Sequence, residues 1–258
     1  MDISLFSLGG EYLNTIEKQI QYLVRNKNPG NPLAYVRNIV RPLSFERLTQ
    51  CIKQCNDCSI CNGPRSIPYG NYNGSILAIR DFVSKGHIND SYVYPYDNNN
   101  EDDVFFRHVL ESYGIDMNQI LWINAVNCCP YETINKRIYP RMPNKTELCN
   151  CKVFSHFAIE SFAPIFIFLI GSTALSMFID ASMNDMHGHF ISLHGITAMP
   201  IYSPEYLRNA KEKMSATYGI EERILKKDVQ RASDFLRKTY PQVLSSQKIM
   251  EETNNGLK

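Results

Sequence analysis

Eight cysteines mark this chain of 258 residues, and three of them fall in one run, Cys55-Asn-Asp-Cys58-Ser-Ile-Cys61. A Cys-x-x-Cys brings two thiolates within reach of one metal centre, and a third and fourth ligand must come from elsewhere in the chain. Cys128 or Cys129, and Cys149 or Cys151, are the candidates. Spacing alone leaves zinc, an iron-sulfur cluster, and thiols that pack as small hydrophobes all open. The sequence begins Met-Asp-Ile-Ser-Leu-Phe, with no basic segment leading into an apolar signal core. The expected setting is therefore cytoplasmic and reducing, where clustered cysteines suggest metal rather than disulfides.

Other chemistry-bearing residues sit at the ends of short apolar runs. Asn124 lies near the end of Ile120–Val126; its amide both donates and accepts, which suits the capping of a buried strand end. Asp81 follows Ile76–Ile79, where it could orient a water molecule or form a strand-end salt bridge with Arg80. Tyr202-Ser203-Pro204-Glu205-Tyr206-Leu207-Arg208 offers a hydroxyl, an aromatic and a cation on one loop, and His187, His189 and His194 precede it at spacings typical of surface or core histidines.

The elements that must position these residues can be read from periodicity. Residues 11–25 place Leu13, Ile16, Ile20, Leu23 and Val24 at helical spacing, and Asn28-Pro-Gly-Asn-Pro32 stops that helix. A second helix over residues 44–55 delivers the cysteine run. Apolar strands over 76–79, 120–126 and 165–170, with a helix over 105–113 between the first two, predict a parallel sheet covered on both faces. Residues 97–103 form a polar, acidic loop, 131–150 a long connection, and 206–240 a basic helical tail whose charges suit either a solvated face or DNA. The long apolar stretch Phe162–Ile179 is broken by Pro164, Gly171, Ser172, Thr173 and Ser176, so it predicts a strand, a turn and a helix rather than a membrane span of about 20 apolar residues. With 44% apolar side chains the chain can bury one large core, and a net charge of +1 excludes nucleic-acid binding by bulk electrostatics, leaving any basic surface local.

In order and spacing, five segments resemble the iron-sulfur uracil-DNA glycosylases of the family 4/5 type: Cys55–Cys61, Ser75–Asp81, Ile123–Pro130, Pro164–Gly171 and Ile201–Arg208. The resemblance covers roughly residues 45–240 and implies an α/β fold, a three-layer α/β/α sandwich around a central, mainly parallel four-stranded sheet. Residues 1–44 would be a helical extension and 241–258 a flexible tail. It implies Cys55, Cys58, Cys128 and Cys151 as ligands of a 4Fe-4S cluster, with zinc as the alternative and with Cys61 and Cys149 as rival ligands. The family's Gly-Glu-x-Pro-Gly is replaced by Ile79-Arg-Asp-Phe-Val83, which puts Asp81 in the role of the Glu and makes Arg80 and Phe82 bulky where the family is small. Asn124 matches the base-reading Asn, and Tyr94 or Tyr96 is the nearest aromatic to stack on a flipped base. The family's Tyr-His-Pro-Ser becomes Tyr202-Ser203-Pro204-Glu205, with Ser203 in place of the His; Tyr206 and Arg208 would meet the DNA strand. The expectation is a monomeric DNA-binding protein that excises uracil or another modified pyrimidine, with repair or replication proteins as further partners. The alternatives are an inactive, replication-associated relative of the kind found in viral genomes, and an interaction module without a DNA role.

Overall fold

The computed structural model describes residues 41–83, 91–135, 137–213 and 218–244. The helix expected over residues 11–25 lies outside them. In chain order the elements are α1 (Arg41–Gln54), β1 (Arg65–Ser66), β2 (Tyr69–Gly70), β3 (Ile76–Phe82), β4 (Tyr92–Val93), α2 (Glu101–Ser112) and β5 (Ile120–Val126). There follow β6 (Tyr131–Ile134), β7 (Arg137–Pro140), α3 (Lys145–Phe162), β8 (Phe166–Ile170), α4 (Ser172–Ser176), α5 (Met183–Met186), β9 (Ile191–Leu193), β10 (Ile196–Ile201), α6 (Pro204–Glu212) and α7 (Tyr218–Thr239).

The apolar runs become strands because both faces of the sheet are covered. Every residue of β5 and β8 is buried, the signature of a parallel strand between two helical layers. Successive side chains alternate between the two cores. Leu77, Ile79, Leu121, Ile123, Ile167 and Leu169 join α1, α3 and α4 on one face. Ile76, Ala78, Ile120, Trp122, Phe166, Phe168 and Ile170 join α2, α6 and α7 on the other. This is the expected three-layer α/β/α arrangement.

The sheet has six strands rather than four, in the order β2-β5-β3-β8-β10-β9. The inner four, β5, β3, β8 and β10, run parallel, while β2 and β9 add antiparallel edges. These edges contribute two and three residues, too few for an alternating pattern to register in the sequence. Two small ribbons lie apart, a parallel β1–β4 pair and an antiparallel β6–β7 hairpin inside the long connection expected over residues 131–150. The apolar stretch from Phe162 resolves as expected into the end of α3, strand β8, a turn and α4, and no described helix is long and apolar enough to cross a membrane. Packed structure also reaches into the expected tail: Pro241–Val243 form a 3-10 turn, Val243 is buried and Leu244 bridges to Ile115.

Candidate functional site

Two sets of residues converge near the carboxyl ends of the parallel strands, the edge at which open α/β sheets bind ligands. The first set is the cysteines. After α1 the chain turns through Cys55–Cys61, and Arg65 in β1 holds that turn: its Nη2 donates to the carbonyls of Cys55 (2.9 Å) and Cys61 (2.8 Å), and its Nη1 to that of Lys53. Arg65 also bridges to Cys128, and the Ser66 N–H donates to the Asn127 carbonyl at 2.8 Å. Asn150 in α3 donates to the Asp57 carbonyl (2.8 Å) and to Cys58 Sγ (3.4 Å). Three distant segments are thus stitched together around the thiols.

Burial pushes the Cys128 and Cys151 thiols up to about 12, and each is raised further by Cys55 and Cys58, while Arg65 opposes this at Cys128 and the Asn127 N–H at Cys151. Cys55 is pushed up to about 11, again chiefly by burial. Cys149 is exposed although only two residues from buried Cys151. Both lie within α3, so the helix starts before the fourth candidate ligand rather than after it. A two-residue step turns about 200° around a helix, so the two thiols face opposite ways. Among the described residues no group of three His, Cys, Asp or Glu side chains is gathered closely enough to hold a metal ion. Asn127 Nδ2 and Arg65 Nε are buried without a hydrogen-bond partner. These two orphaned donors, one beside Cys128 in sequence and one coupled to it, are the groups an anionic metal–sulfur centre would accept from.

The second set ends the strands. Asp81 Oδ1 accepts the backbone N–H groups of Thr173 (2.8 Å) and Ala174 (3.0 Å), in the first turn of α4. The chain enters that turn at Gly171, φ 99°, where a Cβ would fall 2.1 Å from Asp81 Oδ2; only glycine admits the carboxylate. Burial pushes the Asp81 carboxyl up to about 7; the Ala174 and Thr173 amides oppose the rise, Glu205 adds to it and Arg80 lowers it. Asn124 is 5% exposed and is the register partner of Arg80 across β3 and β5.

The anticipated Arg80–Asp81 strand-end salt bridge is not how Arg80 is satisfied. Its Nη1 donates to Asp103 Oδ1 and to the Pro95 carbonyl at 2.6 Å, and its Nη2 donates to Glu205 Oε1. Asp81 turns to α4 instead. Ser203 is the N-cap of α6, accepting the Tyr206 N–H at 3.2 Å. Asp103 and Glu205 are functional neighbours with no local signal in the sequence: a buried guanidinium demands carboxylates, but does not say which.

The aromatics divide. Tyr96 is core, 3% exposed and stacked on Trp122 at 4.9 Å, whereas Tyr94 is 56% exposed and lies against Tyr69. Tyr206 stacks on Tyr202 at 5.2 Å and its hydroxyl donates to Glu221. Arg208 is half-exposed, and its guanidinium is already engaged by Asp102 (2.8 Å) and Glu212 (3.0 Å). His187 pairs with buried Asp228 at 2.8 Å and stacks on Tyr202.

With strands, cysteines and edge residues in place, the comparison with known proteins is direct. A model of the uracil DNA glycosylase superfamily matches residues 91–226, more than half of the chain, and the protein belongs to that superfamily. Within it, the chain is 25% identical over 199 residues to the type-4 uracil-DNA glycosylase of Thermotoga maritima, an alignment spanning 75% of this chain and 95% of that protein.

Proposed function

We propose that this protein binds DNA at the carboxyl edge of its sheet and hydrolyses the N-glycosidic bond of uracil or another modified pyrimidine. The observations that carry this reading are the buried Asn124 near the end of β5 and the Asp81 carboxylate anchored on two amides at the end of neighbouring β3. Asn124 would donate to and accept from the edge of a base taken out of the stack. Asp81 would orient the water that adds to the sugar carbon and receive its proton, while the electron pair of the broken bond leaves with the base. Fixed on two amides, its carboxylate needs little reorganisation. Ser203 offers one hydroxyl where the resembling enzymes carry a His donor, so stabilisation of the departing base is weaker here.

Cys55, Cys58, Cys128 and Cys151 would hold a 4Fe-4S cluster, which when bound serves as a structural tie and supplies no step of hydrolysis. A single zinc ion needs sulfurs about 2.3 Å from one point. Zinc is the alternative occupant of the same four thiols.

A second reading, DNA binding without excision, is favoured by the filling of the strand ends with Arg80 and Glu205 and by the use of Ser203 as a helix cap. Uracil-containing single- and double-stranded oligonucleotides, incubated with the protein and cleaved with alkali, decide between the two. Strand breaks that disappear in Asp81→Asn support excision; binding without breaks supports the second reading.

A further inference from the structure

The two places where this chain departs most from the resembling glycosylases are in contact with each other. Arg80 stands in the segment where that family has small residues, and Glu205 stands where its Tyr-His-Pro-Ser has Ser. In the fold Arg80 reaches across from β3 to Glu205 at the start of α6 and to Asp103 in the first turn of α2. Arg80 is 6% exposed and Asp103 4%.

The arm has little freedom to withdraw. Asp103 is itself pinned, its Oδ2 accepting the Asp97 N–H at 2.7 Å. Glu205 is held in place by the helix that Ser203 caps. A guanidinium presents its donors in a rigid planar fork, so satisfying two carboxylates and the Pro95 carbonyl together fixes its plane. Because Arg80 and Asn124 are register partners on adjacent parallel strands, their side chains leave the same face of the sheet side by side. The Arg80 arm therefore starts beside the side chain assigned to base reading.

We propose that Arg80, clasped by Asp103 and Glu205, is the specificity-determining residue of the base seat. It narrows the space beside Asn124 and limits which pyrimidine enters. The proposal rests on the reading of Asn124 as the base contact. The paired departures are one device: an arginine in a seat built of small residues needs a partner at the facing loop, and Glu205 is that partner.

The test uses the full chain, Glu205→Ser, and the triple exchange Arg80→Gly/Asp103→Asn/Glu205→Ser, which removes the arm without leaving a buried charge unpaired. Fluorescence anisotropy on a fluorescein-labelled oligonucleotide measures DNA affinity, and alkali cleavage measures kcat/KM on uracil and on a 5-substituted uracil. The triple variant is expected to keep the DNA affinity and to raise kcat/KM on uracil by about tenfold or more, the scale of one pocket contact. Glu205→Ser, whose Arg80 keeps Asp103 and Pro95, is expected to give a smaller rise and a changed ratio between the two bases. Unchanged excision in the folded triple variant, with DNA binding intact, overturns the clasp alone. Absence of DNA binding in the parent overturns the reading beneath it and the clasp together. Should the triple variant fail to fold, the base ratio of Glu205→Ser decides: a shift supports the clasp and an identical ratio overturns it.

Discussion

The cysteine region and the strand-end region solve opposite problems with the same means. Around the thiols, hydrogen bonds from Arg65 and Asn150 hold three chain segments in a shared geometry, and two buried donors, Asn127 Nδ2 and Arg65 Nε, are left without a partner. At the strand ends the polar side chains satisfy each other: Arg80 takes Asp103 and Glu205, Asp81 takes two amides, and Ser203 caps a helix. One region is arranged toward something further and the other toward itself. The difference teaches that a retained fold need not mean a retained pocket, because local polar groups can close on themselves without disturbing the layers around them.

The sharpest way to break the comparison is at the cysteines. Serine at Cys55, Cys58, Cys128 or Cys151 is expected to strip iron and sulfide from the purified protein, while serine at Cys149, on the opposite side of α3, leaves them; elemental analysis reads both. Next in size is Arg80→Ala. It leaves Asp103 buried without its cation, and denaturant unfolding is expected to lose about 3–5 kcal/mol, the usual result of removing one member of a buried ion pair. Glu205→Ser should cost less, because Arg80 retains Asp103.

Asp81 sharpens the contrast from the side of chemistry. Its folded carboxyl titrates at about 7, above its ordinary value of 3.8. Between these the folded protein holds a proton that the unfolded chain has released, so this group lowers stability as pH rises through that window. Excision that needs the carboxylate should therefore rise with pH through about 7, and Asp81→Asn should remove on the order of 100-fold of the rate while DNA affinity is kept. A flat profile would separate Asp81 from the chemistry.

Glu147 titrates the other way. Arg141 holds its carboxyl below the ordinary 4.5, so its contribution is present above that value and is lost as pH falls through the lower folded one. Glu147→Gln loses the charge on the capping box that starts the cysteine-bearing helix, an effect expected at about 1 kcal/mol in thermal or urea unfolding. Arg208→Ala is the smallest change, within about 1 kcal/mol, and its effect on DNA affinity measures whether a guanidinium already held by Asp102 and Glu212 also meets phosphate.

Three of the four inner strands, β3, β5 and β8, were legible because they are continuous apolar runs buried on both faces; β10, with Thr197 and Pro200 in its run, was not. The resemblance points to Cys151 rather than Cys149, and the helix buries the first and exposes the second. The partners of Arg80 were not legible, since Asp103 and Glu205 lie 23 and 125 residues away and no local pattern reports a pairing made across three elements. Tyr96 and Tyr94 could not be sorted for a related cause: only the arrival of Trp122 from β5 decides which ring enters the core.

The brevity of the two edge strands has a consequence for how the molecule keeps to itself. A sheet edge is a row of unpaired amides and carbonyls that a second chain can extend. Here the outermost ladders run for two residues at β2 and three at β9, and Gly70 closes one of them with a left-handed φ of 100°. Among the described residues, little backbone is left in register at either side of the sheet for a second chain to add to.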